Sequence, residues 1–121
     1  MPGDQGFLTT HVLDTARGRP AAGVRITLFE VSGGEKHQLA EALTNGDGRT
    51  DTPILEKGRL KAGVYELVFH TGAYLDQTAG AANGPRFLGD VPIRFGIDDP
   101  DAHYHVPLLL SPFGYSTYRG S

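Results

Sequence analysis

The chain has 121 residues, no cysteine and a formal net charge of −3, with 21% of its residues charged. Disulfide frameworks, thiolate metal sites and thiol nucleophiles are thereby excluded, and so mild a charge argues against a nucleic-acid footprint or a polybasic membrane patch. Seventeen glycines and eight prolines point to short strands and many turns rather than a helical bundle. The length fits one domain, 1–121, with residues 1–6 as a flexible lead. No apolar run is long enough to cross a membrane and the first residues do not form a signal peptide, so the expected location is cytoplasmic.

Phe7 to Asp14 is rich in β-branched and aromatic residues and reads as a strand. Ala16 to Pro20 reads as a turn. Val24 to Val31 alternates, with Val24, Ile26 and Leu28 on one face and Arg25, Thr27 and Phe29 on the other. Ser32-Gly33-Gly34 ends it, and a weaker strand runs from Gln38 to Thr44. Asn45-Gly46-Asp47-Gly48 is a tight-turn cluster. Gly63 to His70 is the strongest strand, with Tyr65, Leu67 and Phe69 on one side. Thr71 to Thr78 fits a short helix, and Ala79 to Pro85 a loop of small residues. Asp90 to Phe95 forms a strand with Val91, Ile93 and Phe95 inward, and Pro92 suits an edge position. After a turn at Ile97 to Asp101, His103 to Leu110 and Tyr115 to Tyr118 complete the set. Seven or eight short strands with one short helix specify an all-β sandwich.

Phosphate-binding glycine loops and the Gly-x-Ser-x-Gly elbow are absent. Asn45-x-Asp47-x-Arg49 begins like a calcium loop but places an arginine where an oxygen ligand belongs. His103-Tyr104-His105 sits on a strand, where a period of two puts both imidazoles on one face with Pro107 and Leu109. The pair reads equally as structural histidines or as the start of a metal site, with His11 or Asp101 as a third ligand. His11 lies mid-strand, a costly place for a titratable ring unless it is hydrogen-bonded. Arg49 follows the glycine turn, where it either presents a guanidinium to an oxyanion or is simply solvated. His37 reads as surface and His70 as a strand end. The strand character continues through Tyr118-Arg119-Gly120-Ser121, where most chains fray.

Four segments taken together resemble the 5-hydroxyisourate hydrolases, the transthyretin-like enzymes of urate breakdown. They are Leu8-Thr9-Thr10-His11-Val12-Leu13-Asp14, Gly48-Arg49-Thr50-Asp51, His103 to Pro112, and Tyr118-Arg119-Gly120-Ser121. The resemblance implies a transthyretin-like sandwich assembled as a homotetramer, with active sites at the dimer–dimer interface. It implies hydrolysis of 5-hydroxyisourate to 2-oxo-4-hydroxy-4-carboxy-5-ureidoimidazoline, without cofactor or metal and without nucleic-acid or membrane partners. The catalytic positions carried over by motif are His11, Arg49, His105 and Ser121, with Tyr118, Arg49 and Ser121 binding substrate; His103 takes a supporting role. Imidazoles titrate near neutrality and suit water activation and proton delivery, and a guanidinium suits oxyanion stabilisation. Water activation falls mainly to His105 and proton shuttling to His11, the two roles being exchangeable.

Two other classes remain open at this level: a transthyretin-type carrier of a thyroid-hormone-like ligand, and a sandwich that binds metal through His103, His105 and His11. A structural adhesion sandwich is a weaker third, because it leaves the terminal motif without a role. The polar set His11, Arg49, His105 and Tyr118 to Ser121 argues against an apolar carrier.

Overall fold

Alternation in Phe7–Asp14 produces strand β1 in the computed structural model, which describes residues 5–120. Leu8, Thr10, Val12 and Asp14 are buried, while Phe7, Thr9, His11 and Leu13 are half-buried on the opposite face. A two-residue strand, β2 (Arg19–Pro20), pairs antiparallel with the end of β1. It falls inside the segment expected to be a turn, since two exposed residues carry no alternation to read. Strands β3 (Arg25–Ser32) and β4 (Glu35–Leu43) are joined by Gly33-Gly34, whose φ values of 59° and 82° make a two-residue hairpin turn. The fourth strand starts earlier than Gln38 because Glu35, Lys36, His37 and Gln38 are all exposed and show no apolar pattern.

Strand β5 (Gly63–Phe69) is followed by helix α1 (Thr71–Thr78), β6 (Val91–Ile97), β7 (His103–Ser111) and β8 (Gly114–Thr117). The sixth strand reaches Ile97, two residues past the expected end, because Ile97 continues the buried face of Val91 and Ile93. Phe95, expected inward, is half-buried and packs against the core rim. The last strand ends at Thr117, and beyond it Gly120 meets β7 again in an isolated bridge with His105.

Two four-stranded sheets result, ordered β2-β1-β7-β8 and β4-β3-β5-β6. Strand β6 is an edge strand, which accommodates Pro92 without loss of a ladder bond. The core between the sheets holds Leu8, Val12, Ile26, Leu28, Leu67, Phe69, Leu108 and Leu110, all fully buried. Each contributes about 1.5–3 kcal/mol of burial relative to exposure. Helix α1 closes one end by burying Thr71, Tyr74 and Leu75, and the Tyr74 hydroxyl donates to Asp14 Oδ2 at 2.6 Å. That bond, with the Arg17 N–H on Asp14 Oδ1 at 3.0 Å, satisfies a buried carboxylate at the end of β1.

The feature that positions the site is the pairing of β1 with β7. The two run parallel in register, with Phe7 opposite His103, Thr9 opposite His105 and His11 opposite Pro107. Because side chains alternate, one row of each strand points away from the core. Phe7, Thr9 and His11 therefore share the outer face of this sheet with His103 and His105. None of the helices among the described residues is long and apolar enough to cross a membrane.

Candidate active site

The outer face of β1 and β7 is the floor of a cavity of about 350 Å³, with Thr9, His103 and His105 in the floor and Arg49, Asp51 and Pro53 in one wall. Thr9 Oγ1 lies 2.8 Å from His105 Nδ1 and 2.6 Å from His103 Nε2, so one hydroxyl holds both rings. His103 is further fixed by a stack on Phe7, with centroids 4.1 Å apart and planes 7° from parallel.

His11 stands beside this cavity. Its Nε2 lies 2.8 Å from the Asp47 carbonyl oxygen. A carbonyl only accepts, so Nε2 carries the proton and the neutral ring presents Nδ1 as its basic nitrogen. The backbone of His11 bridges to that of Arg49. Asn45 builds the turn that makes this possible: its Oδ1 accepts from the N–H groups of Asp47 (2.9 Å) and Arg49 (3.2 Å). Its own N–H donates to the Arg49 carbonyl at 2.7 Å. The Asn45 side chain thus holds the turn together. Gly48, with φ of 75°, passes so close to β1 that a Cβ would press into the Val12 carbonyl oxygen.

Gly120 reaches the same place from the other end of the chain. Its N–H donates to the His105 carbonyl at 2.7 Å. A Cβ there would lie 2.6 Å from His105 Cδ2, so only glycine lets the segment lie against the ring. Arg119 stacks on Tyr104, its guanidinium carbon 4.1 Å from the ring centroid, and the Tyr104 hydroxyl donates to Asp98 at 2.9 Å. The terminal segment is therefore pinned although it is no longer a strand. Tyr118 is not brought to the histidine cavity: it is 59% exposed and lines a separate groove with Phe95 and Val106. Ser121 lies outside the described residues.

The electrostatics favour neutral imidazoles. Burial lowers the pKa of His105 below its ordinary 6.5, and the charge of Arg49 lowers it further, with His103 and His11 adding to the effect. Burial and then Arg49 also lower His11, while the Asp47 carbonyl and carboxylate push it upward. Two rings able to accept protons thus sit beside an exposed guanidinium able to hold an oxyanion. No group of three or more His, Asp or Glu side chains among the described residues is placed to hold a metal ion.

Of the residues singled out in the sequence, His11, Arg49, His103 and His105 converge. Thr9 and Asn45 belong to the same arrangement and were not singled out. Their signal was present, Thr9 in the quoted Leu-Thr-Thr-His run and Asn45 in the turn cluster, but a hydroxyl's two partners are set by a strand pairing almost the whole chain apart.

Residues 8–120 match the model of the HIUase/Transthyretin family. The chain belongs to that family. It is 56% identical over 116 residues to 5-hydroxyisourate hydrolase 2 of Rhizobium meliloti, covering 96% of this chain and 97% of that one. It is 55% identical to 5-hydroxyisourate hydrolase of Deinococcus radiodurans, over the full length of both. Among solved structures it is similar to 5-hydroxyisourate hydrolase of Klebsiella pneumoniae, with a TM-score of 0.76, 36% identity and coverage of 96% and 94%. The structure of an (S)-allantoin synthase is also similar, with a TM-score of 0.91 and 48% identity, but this chain spans 45% of that one. The family membership and the two-sheet architecture agree with the transthyretin-like sandwich expected from the sequence.

Proposed function

We propose that the protein hydrolyses 5-hydroxyisourate to 2-oxo-4-hydroxy-4-carboxy-5-ureidoimidazoline, in the cytoplasm and as a homotetramer. The observation that carries this reading is that His105 and Arg49 line one polar cavity with His11 bridged to Arg49 beside it, both imidazoles having lowered pKa values. Full-length relatives that bear the hydrolase name support it.

In this mechanism His105 takes a proton from water, and the hydroxide attacks the lactam carbonyl. Arg49 holds the oxyanion that develops. The tetrahedral intermediate collapses with cleavage of the C–N bond, and the leaving nitrogen receives a proton delivered through the histidines, with His11 as the shuttle. The carbonyl becomes a carboxylate and the ring nitrogen becomes part of the ureido group. Ser121 takes part in binding substrate, as the family resemblance implies, and the Gly120 N–H before it donates to the His105 carbonyl. Tyr118 faces away from its own chain's cavity, so its share in substrate binding falls to the assembled tetramer. A carrier of an apolar ligand is disfavoured, because Arg49, Asp51, His103 and His105 would all have to be desolvated against it without matching partners.

The deciding experiment follows the absorbance decay of freshly generated 5-hydroxyisourate above its spontaneous rate. Wild type should accelerate the decay, and His105→Asn should lower turnover at least ~10²-fold with the fold intact, as expected for a general base. His103→Asn should cost much less. Activity of His105→Asn within threefold of wild type would remove the assignment.

A further inference from the structure

The hydroxyl that joins the two histidines of β7 belongs to a residue to which the mechanism above gives no role. Building on that mechanism, we propose that Thr9 is a positioning residue that relays a proton between His105 and His103. A threonine hydroxyl has one proton to give and can accept another hydrogen bond. With His105 Nδ1 at 2.8 Å and His103 Nε2 at 2.6 Å, both contacts are satisfied only if one ring donates to Thr9 and the other accepts from it.

Two arrangements satisfy this condition. In the first, His105 Nδ1–H donates to Thr9 and Thr9 donates to His103 Nε2, leaving His105 Nε2 with a lone pair. In the second, every bond in the chain is reversed and His105 Nε2 bears a proton. Nε2 takes no hydrogen bond from the described residues, so it is the atom of the ring left for the reaction. The first arrangement is the base and the second is the acid.

The chemistry connects them in balanced steps. A water proton enters His105 at Nε2. The Nδ1 proton passes to Thr9 Oγ1, and the Thr9 proton passes to His103 Nε2. His105 is then neutral again with a proton at Nε2, and the positive charge rests on His103. When the Nε2 proton is handed on to the leaving nitrogen through His11, the chain runs back and restores the first arrangement. The relay removes charge from a ring whose cation is disfavoured by burial and by Arg49. His103 is held for its part by the Phe7 stack. A strand alone does not call for the hydroxyl, because valine suits a half-buried strand position as well as threonine does.

The test compares Thr9→Val, Thr9→Ser and His105→Asn in the full chain, with 5-hydroxyisourate as substrate. Thr9→Val should lower kcat about tenfold or more while KM stays within threefold, and Thr9→Ser should remain within threefold of wild type. Imidazole ¹⁵N spectra should show one His105 tautomer in wild type and in Thr9→Ser, and a mixture in Thr9→Val. Thr9→Val at the wild-type kcat, or Thr9→Ser as slow as Thr9→Val, overturns the relay. His105→Asn separates the two possible failures. If it is inactive while Thr9→Val is normal, the relay alone is lost; if it is fully active, the base assignment falls and takes the relay with it.

Discussion

A histidine near an arginine is a poorer base in strength but a more available one. Burial and the Arg49 charge both keep His105 and His11 unprotonated where a free imidazole would already be half charged. The sign is definite: both pKa values lie below 6.5, so the neutral, active form persists as the pH falls through that value. The acid limb of kcat/KM should therefore have its midpoint below 6.5, with a plateau above it. Arg49→Gln should move the limb of the residual activity upward, because the charge facing both rings is gone while Asp47 remains beside His11. Arg49→Lys should leave the limb in place. A limb at or above 6.5 that ignores Arg49 would contradict this electrostatic picture. The same groups link to stability: the unfolded chain binds these protons first, so the associated stabilisation is present above 6.5 and is lost as the pH falls through the lower folded values. At this scale the residues that meet beside the cavity were legible, since His11, Arg49 and His105 stand in distinctive short motifs. Thr9 was not, because its meaning comes from two partners 94 and 96 residues away.

The turn at Asn45 to Arg49 shows how an element converts sequence into a site. Its glycines are not equivalent. Gly48 has positive φ and no room for a Cβ against β1, whereas Gly46 has nothing within 4 Å of that position. Gly48→Ala should therefore destabilise the fold by roughly 1–3 kcal/mol through strain and displacement of β1. Gly46→Ala should stay within about 0.5 kcal/mol of wild type. Chemical denaturation of the two variants measures the difference, and equal midpoints would show that the turn yields. Activity should fall with Gly48→Ala as well, since the Gly48 carbonyl accepts from the Val12 N–H at 2.8 Å next to the Arg49 bridge. Strand β1 was readable because buried and half-buried residues alternate along its whole length, and β3, β5 and β7 because their apolar β-branched and aromatic residues cluster between turn signals. The beginning of β4 was hidden by four exposed polar residues, and β2 by its brevity. The parallel pairing of β1 with β7 could not be read at all, because nothing local records which strand a strand will meet.

For the whole molecule, the decisive fact is that the histidine cavity lies on the outer face of a sheet and not inside the sandwich. A site on such a face is open to water unless something covers it, and water exclusion strengthens every charge–dipole interaction used in lactam opening. A second copy of the chain is the natural cover in a symmetric assembly. Light scattering should accordingly find a tetramer at micromolar concentration, and a fully active monomer would remove the interface model. The terminal segment belongs to the same argument. Ordinary chain ends tolerate deletion because they bury little and bond to little. Here the Gly120 N–H is bonded to the His105 carbonyl and Arg119 is stacked on Tyr104, so the segment buttresses the strand that carries the proposed base. Deleting residues 118–121 should free His105 to shift, and a displacement of about 1 Å can cost ~10²-fold in rate. A tag fused after Ser121 should also impair turnover, because it loads the segment that Arg119 and Gly120 tie to β7. A tag placed before Met1 should leave the rate unchanged. Kinetics and light scattering on wild type, the deletion and the two tagged forms decide the matter: a tetrameric deletion variant with the wild-type rate would show that His105 needs no support from the end of the chain.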